Sequence, residues 1–258
     1  MTLHIHVSLD YELAGPTDLI LQIEAAHLPE QSVSNATLTL SPCDHFARVA
    51  AQDDIGERVL LRAHGRFTAD YHAQVDIARI LADVDGLEPV PPHMLPGETI
   101  AYLLDSCYCP ANAFRSFVQE QFGELRGGAL VAAQRDYVES RFRYMPGASD
   151  ATTTALETFV RRQGVCRDFA HMLITLARAG GVPARFASVY GLGVEPQDFH
   201  AVAEVFLDGA WHLVDPTGMA RQADMAKIGI GRDAADVAFL TAFGPVTMIA
   251  QSVAVSGR

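Results

Sequence analysis

Basic residues are scarce in this chain. Only 19 lysines and arginines stand against 31 aspartates and glutamates, for a formal net charge of −12 over 258 residues. That deficit argues against nucleic acid or an anionic membrane as the main partner, since basic side chains hold both. Cysteine is also sparse. The four present, Cys43, Cys107, Cys109 and Cys166, make no disulfide framework. Cys107 and Cys109 form a Cys-x-Cys, which is not the Cys-x-x-Cys spacing of metal and redox sites. Both are expected to be small buried residues, with no metal and no cofactor. No apolar run approaches the roughly 18 residues that a membrane span needs. The start, Met1-Thr2-Leu3-His4-Ile5-His6-Val7, alternates like a strand and lacks the basic and apolar regions of a signal peptide. A reduced, cytoplasmic setting follows as the expectation. No internal repeat or low-complexity tract breaks the chain.

What is present in quantity is apolar surface, 49% of residues, enough for one large or two small cores. Residues 1 to 95 carry short β-like runs at Leu3–Tyr11, Leu19–Glu24, Ala36–Leu40, Arg58–Ala63 and Phe67–Asp76, separated by turn-prone Gly15-Pro16, Ser41-Pro42 and Asp53-Asp54-Ile55-Gly56. This pattern predicts a small β-sandwich. Pro89, Pro91, Pro92 and Pro96 with Gly97 mark a seam, so a second domain is expected over 96–258. It opens with helical patterns at Asn112–Phe122, Ala129–Phe142 and Thr153–Gln163, then turns to strands. Helices first, then sequential strands in hairpins, indicates α+β. Val246–Val255 is a further β-like run able to close a sheet.

Chemistry concentrates in three places. Gly164-Val165-Cys166-Arg167-Asp168-Phe169-Ala170-His171 begins an apolar helical stripe at Phe169, Met172, Leu173, Leu176 and Ala177, stopped by Gly180, Gly181 and Pro183. Cys166 therefore sits in a first helical turn, where free N–H groups and the helix dipole favour a thiolate and can cradle an oxyanion. Asp168 is placed to cap that end. Downstream, two apolar runs, Phe199–Leu207 and Ala210–Asp215, flank Asp208-Gly209, a two-residue hairpin signal. That turn sets Val202 opposite Asp215 and leaves His200 diagonal to Asp215 on the same face, roughly 7–8 Å away at the backbone. A nucleophilic thiol, a base and a carboxylate to orient the base are thus available as Cys166, His200 and Asp215.

The runs GVCRDFAHMLITLARAGGVPARFASVYG and DFHAVAEVFLDGAWHLVDPTG resemble the core of the bacterial transglutaminase-like superfamily of cysteine proteases. Residues Tyr102–Cys109, Phe142–Gly147 and Gly231–Val237 are similar to that family's flanking motifs. The resemblance is strong over residues 100 to 240 and weaker before them. It implies a papain-like α+β core, a helix packed on an antiparallel sheet, with Cys166, His200 and Asp215 as nucleophile, base and orienter. Two positions depart from the pattern. Val202 stands where a Trp commonly follows the base, and Cys107 where an Arg precedes the Tyr-Cys pair. Both are expected to reshape the acyl pocket.

His171, five residues past Cys166, points to another side of the helix and is assigned a structural role. His212, on the opposite strand face from the hairpin's other polar groups, is treated likewise. Arg232, Asp233 and Asp236 are expected to form a structural ion pair. Tyr144, Arg167 and Tyr190 are the substrate-binding candidates. The reaction implied is acyl transfer from a peptide or protein amide through a thioester, with hydrolysis favoured because water outcompetes any amine lacking a dry site. Three alternatives stand beside it: a protein-glutamine amine transferase, an acetyl-coenzyme-A-dependent amine acetyltransferase and a non-catalytic binding module. Substrate identity and oligomeric state are left open.

Overall fold

In the computed structural model, which describes residues 1–257, period-two alternation produces two unusually long strands. β1 (Thr2–Leu21) and β4 (Glu57–Ile77) pair antiparallel along most of their length. β2 (Gln31–Leu40) and β3 (His45–Ala50) line successive stretches of the other edge of β4. Alternate residues point inward, among them Leu3, Ile5, Val7 and Leu9 from β1 and Phe67, Tyr71 and Val75 from β4. Gly15-Pro16 does not end a strand. It only shifts the register between Leu13 and Thr17, a bulge that bends the pair without breaking it. The small β-sandwich expected over 1–95 thus takes the form of one continuous sheet, with pairs of short runs fused into single strands.

The helical half begins with α1 (Arg115–Phe122), α2 (Gly127–Arg141), the two-residue β5 (Arg143–Tyr144), α3 (Ala155–Arg161) and β6 (Gln163–Gly164). α4 (Cys166–Ala179) follows, then β7 (Ala184–Gly191), β8 (His200–Leu207), β9 (Ala210–Val214) and β10 (Met225–Gly231). These four strands form an antiparallel sheet in the order β10-β7-β8-β9. Every residue of α4 from Asp168 to Arg178 is buried, because β8 and β7 cover one side and α1, α2 and α3 the others. Burying Leu173 and Leu176 there contributes about 1.5–3 kcal/mol each. On β8, Ala201 and Ala203 turn toward α4, and these small side chains let the helix lie close to the sheet. The α+β class holds. Among the described residues no helix is long and apolar enough to cross a membrane.

The chain then returns to where it began. β11 (Leu240–Ala242) and β12 (Val246–Gly257) both pair with β1, so the first sheet has six strands, two of them from the far end of the sequence. Strand pairing therefore crosses the seam at residues 95 and 96. The two sheets also share one apolar cluster: Tyr190, Ala226 and Ile228 pack with the inner face of β1 and β4. Removing residues 240–257 would strip β1 of its edge partners and take the buried Val253 and Val255 out of the shared core. A chain ending at residue 239 is expected to aggregate or to lose its single cooperative denaturant transition. A soluble truncation with the parent's midpoint would contradict this packing.

Candidate active site

Cys166 is the first residue of α4, half-buried at the mouth of a cleft. The turn before it is held by Asp168, whose Oδ2 accepts the Val165 N–H at 2.8 Å and the Ser149 hydroxyl. Its Oδ1 accepts from Arg167 at 2.9 Å. Asp168 thus caps the helix, as its position in the sequence indicated. Gly164 is required by close approach: a Cβ there would lie 2.6 Å from Asp168. In the first turn the Asp168 and Phe169 N–H groups are already bonded to the Val165 carbonyl. Tyr144, bridged to Gly164 through β5 and β6, brings its phenol beside the Cys166 thiol and backbone N–H. Burial first, and then the neighbouring thiol, push the phenol's pKa well up.

Asp208 and Gly209 both adopt positive φ, 49° and 75°, forming the tight turn that a two-residue hairpin demands. The register is the expected one, Leu207 opposite Ala210 and Ala203 opposite Val214. It brings His200 Nε2 to 2.9 Å from Asp215 Oδ2, with both side chains almost wholly buried. Asp215 also accepts the Thr217 N–H at 2.8 Å, the Thr217 hydroxyl at 2.7 Å and the Ala220 N–H at 2.9 Å. Burial alone would raise this carboxyl, but His200 and the Thr217 donors outweigh it and hold the pKa below 3.8. Burial likewise works against a charged His200. Hydrogen bonding to Asp215 and the adjacent Cys166 overcome it and lift the ring to about 9. With Nε2 committed to Asp215, Nδ1 is buried without another partner, and the Cys166 thiol lies against the ring.

Cys166 and His200 line a cleft of about 670 Å³, with Asp215 held against the His200 ring outside its lining. Its walls are largely apolar, with Phe186, Phe199, Ala234, Val237 and Phe239 alongside the charged Arg167 and Asp198. Phe199 and Phe239 stack at 4.5 Å. Of the substrate-binding candidates, Arg167 lines the cleft and Tyr144 adjoins Cys166. Tyr190 is not brought there. It is fully buried between the sheets, its hydroxyl donating to the Ile23 carbonyl. Val202 is buried in a separate apolar cluster and the exposed Cys107 is not part of the wall, so neither departure from the family pattern shapes the cleft directly. Cys109 is buried as expected, its thiol pushed up to about 12 by burial, whereas Cys107 is not buried.

His171 has the structural role assigned to it. Burial pushes it down to about 3, and its Nε2 accepts the Ala234 N–H at 3.1 Å, fixing the loop that forms one wall. Arg232 and Asp236 pair at 2.9 Å, while Asp233 instead accepts the Tyr108 N–H at 2.8 Å. The 234–242 wall was not predicted as part of the site. Its only local signal was the Gly-Arg-Asp stretch just before it.

Residues 116–216 match the family model of the transglutaminase-like superfamily. The whole chain is similar to a solved structure from Cytophaga hutchinsonii, provisionally assigned as a cysteine protease. The TM-score is 0.93 at 30% identity, covering 99% of this chain and 90% of that one. An uncharacterized protein of Mycobacterium leprae is 33% identical over 120 residues, 43% of this chain and 42% of its own length. One from Mycobacterium tuberculosis is 33% identical over 145 residues, 49% of this chain and 45% of its own. The matched part thus spans under half the length of these curated relatives.

The His200–Asp215 pair makes stability depend on pH. Folded His200 titrates above its ordinary 6.5, so its contribution is complete below that pH and is lost as pH rises through about 9. Folded Asp215 titrates below 3.8, so its contribution is present above that value and fades in stronger acid. The gap in urea midpoint between the parent and His200→Gln should therefore be widest from about pH 4 to 6.5 and narrow toward pH 9. A gap that grows toward pH 9 would contradict the pairing.

Proposed function

This chain belongs to the transglutaminase-like superfamily, and we propose that it hydrolyses a peptide or amide bond with Cys166 as nucleophile. The observation that supports this most strongly is the His200 ring. One nitrogen is tied to a buried carboxylate, and the other has no hydrogen-bond partner, while the Cys166 thiol at the start of α4, 4.0 Å from the Phe199 carbonyl, adjoins the ring. A ring so held can take a proton from sulfur and return it to a leaving group without losing its orientation.

In this reading His200 Nδ1 receives the Cys166 proton, and sulfur attacks the carbonyl carbon. The developing oxyanion is met by the Cys166 backbone N–H at the start of α4, which lies beside the Tyr144 phenol; such a donor is worth about 3 kcal/mol in comparable sites. The Tyr144 phenol, kept protonated by its raised pKa, is a further donor at the same place. His200 then protonates the amine, the C–N bond breaks and a thioester remains on Cys166. Water, deprotonated by His200, attacks the thioester; the C–S bond breaks and the acid leaves. Asp215 keeps the imidazole aligned throughout. Arg167 at the cleft is the remaining substrate-binding candidate. The apolar walls suit an extended peptide or protein segment with apolar side chains.

The thioester is common to hydrolysis and transamidation. Cys166 is only partly buried, so water reaches the acyl-enzyme and hydrolysis is the favoured outcome. The proposed compartment is the cytoplasm, where reducing conditions keep Cys43, Cys107, Cys109 and Cys166 as the free thiols seen here.

Acid-quenching the protein during turnover of a panel of acyl-peptide esters, followed by peptide mass analysis, tests the assignment. An acyl adduct is expected on the Cys166 peptide. Cys166→Ala should abolish both adduct and turnover, and Asp215→Asn should slow turnover on the order of 10³-fold or more. Turnover surviving in Cys166→Ala would sink the proposal.

A further inference from the structure

Three of the chain's ten histidines, His4, His6 and His72, open onto one recess distinct from the Cys166 cleft, on the solvent face of the first sheet. His6 on β1 and His72 on β4 are direct cross-strand partners. Their rings stack at 4.0 Å with an interplanar angle of 11°. Both present Nε2 to one carboxylate: His6 lies 3.0 Å from Asp70 Oδ2, and His72 lies 2.8 Å from Asp70 Oδ1. The flanking residues are small, Ala254 of β12 opposite His6 and Thr37 of β2 opposite His72. The recess above them holds about 580 Å³.

We propose that His6, Asp70 and His72 form a binding site for a divalent transition-metal cation such as Zn²⁺. The spacing fits that chemistry. Two imidazole nitrogens and a carboxylate oxygen all lie within 4.8 Å of one another. Bonds of roughly 2.0–2.2 Å from a common ion put ligand atoms roughly 3–4 Å apart, so small rotamer adjustments bring all three onto one centre. Imidazole with carboxylate selects Zn²⁺, Cu²⁺ or Ni²⁺ over Mg²⁺ and Ca²⁺, which prefer all-oxygen shells. The three ligands leave a further position for water or for His4, two residues before His6 on the same face.

The scaffold also fits. β1 and β4 are the central strands of the sheet, and both run without a break in register through these residues. Ligands carried on paired strands are held more tightly than ligands on loops. A bound ion would bridge the two strands that organise the first sheet, so binding should raise the thermal midpoint. The half-exposed side chains make this a reversible, solvent-open site rather than a closed structural one. The proposal departs from the metal-free expectation drawn from cysteine spacing, because no cysteine is involved. It is independent of the chemistry proposed for Cys166.

Calorimetric titration of the full-length protein with ZnCl₂ tests it. Cys166→Ala serves as a parallel sample that removes the cleft thiol, and with it any competing thiol–imidazole site beside His200. One equivalent of Zn²⁺ is expected in both parent and Cys166→Ala, with affinity at least tenfold weaker in His6→Gln, His72→Gln and Asp70→Asn. The thermal midpoint should rise with Zn²⁺ in the parent and not in His72→Gln. All three substitutions lie on a solvent-facing strand surface, and unchanged circular dichroism will show that each variant is folded. Binding that persists at full strength in both histidine variants, that disappears in Cys166→Ala, or that is absent from the parent would overturn the site.

Discussion

The antiparallel register of β8 against β9 is the constraint on which the candidate site depends. Two residues with positive φ, Asp208 and Gly209, close the hairpin, and nothing longer or shorter would leave His200 and Asp215 on one face at 2.9 Å. A one-residue slip would turn either the histidine or the carboxylate to the far side of the sheet. Asp215 lies just past the last residue of β9, where Thr217 and Ala220 complete its hydrogen bonding. The hairpin therefore delivers an oriented imidazole, and α4, lying on the small side chains Ala201 and Ala203, delivers the thiol.

A second set of buried charges locks the same strands to the rest of the molecule. Glu204, two turns of the pleat beyond His200 on the same face, is wholly buried and held at about 2. Burial opposes that ionisation, and Lys227 and Arg185 overcome it, with contacts of 2.6 and 2.7 Å. Lys227, the chain's one lysine, also reaches Glu30 at 2.6 Å, just ahead of β2. Arg185 lies over Trp211 at 3.9 Å. Such a cluster is weak evidence for net stability, since desolvation offsets much of the attraction, but losing any one partner would strand an uncompensated charge. It ties β7, β8 and β10 together and links them to the first sheet.

Much of this was legible in the sequence because it was local. The α4 stripe, the Asp-Gly turn and the Val-Asp-Pro end of β9 each carry their signal within a few residues, and the hairpin register follows from the turn alone. What was not legible is long-range. Nothing near residue 246 says that its partner is β1, and β11 is too short to announce itself. Tyr190 was a pocket candidate because β7 is buried on both faces, which erases the alternation that would have shown which way the ring points. The cleft wall at 234–242 is a loop held by His171 and by the returning chain, contacts that no local pattern encodes. Fused strands replaced the expected short ones because Gly15-Pro16 is accommodated as a bulge.

The central claim is that His200 serves as the base for Cys166, and the rate of Cys166 alkylation by iodoacetamide across pH tests it most directly. Peptide mass analysis would locate the label in native protein and in His200→Ala. The account predicts fast labelling that persists from neutral into mildly acidic solution and collapses when His200 is removed. A rate that climbs with pH as for an ordinary exposed thiol, and that is the same in His200→Ala, would contradict it.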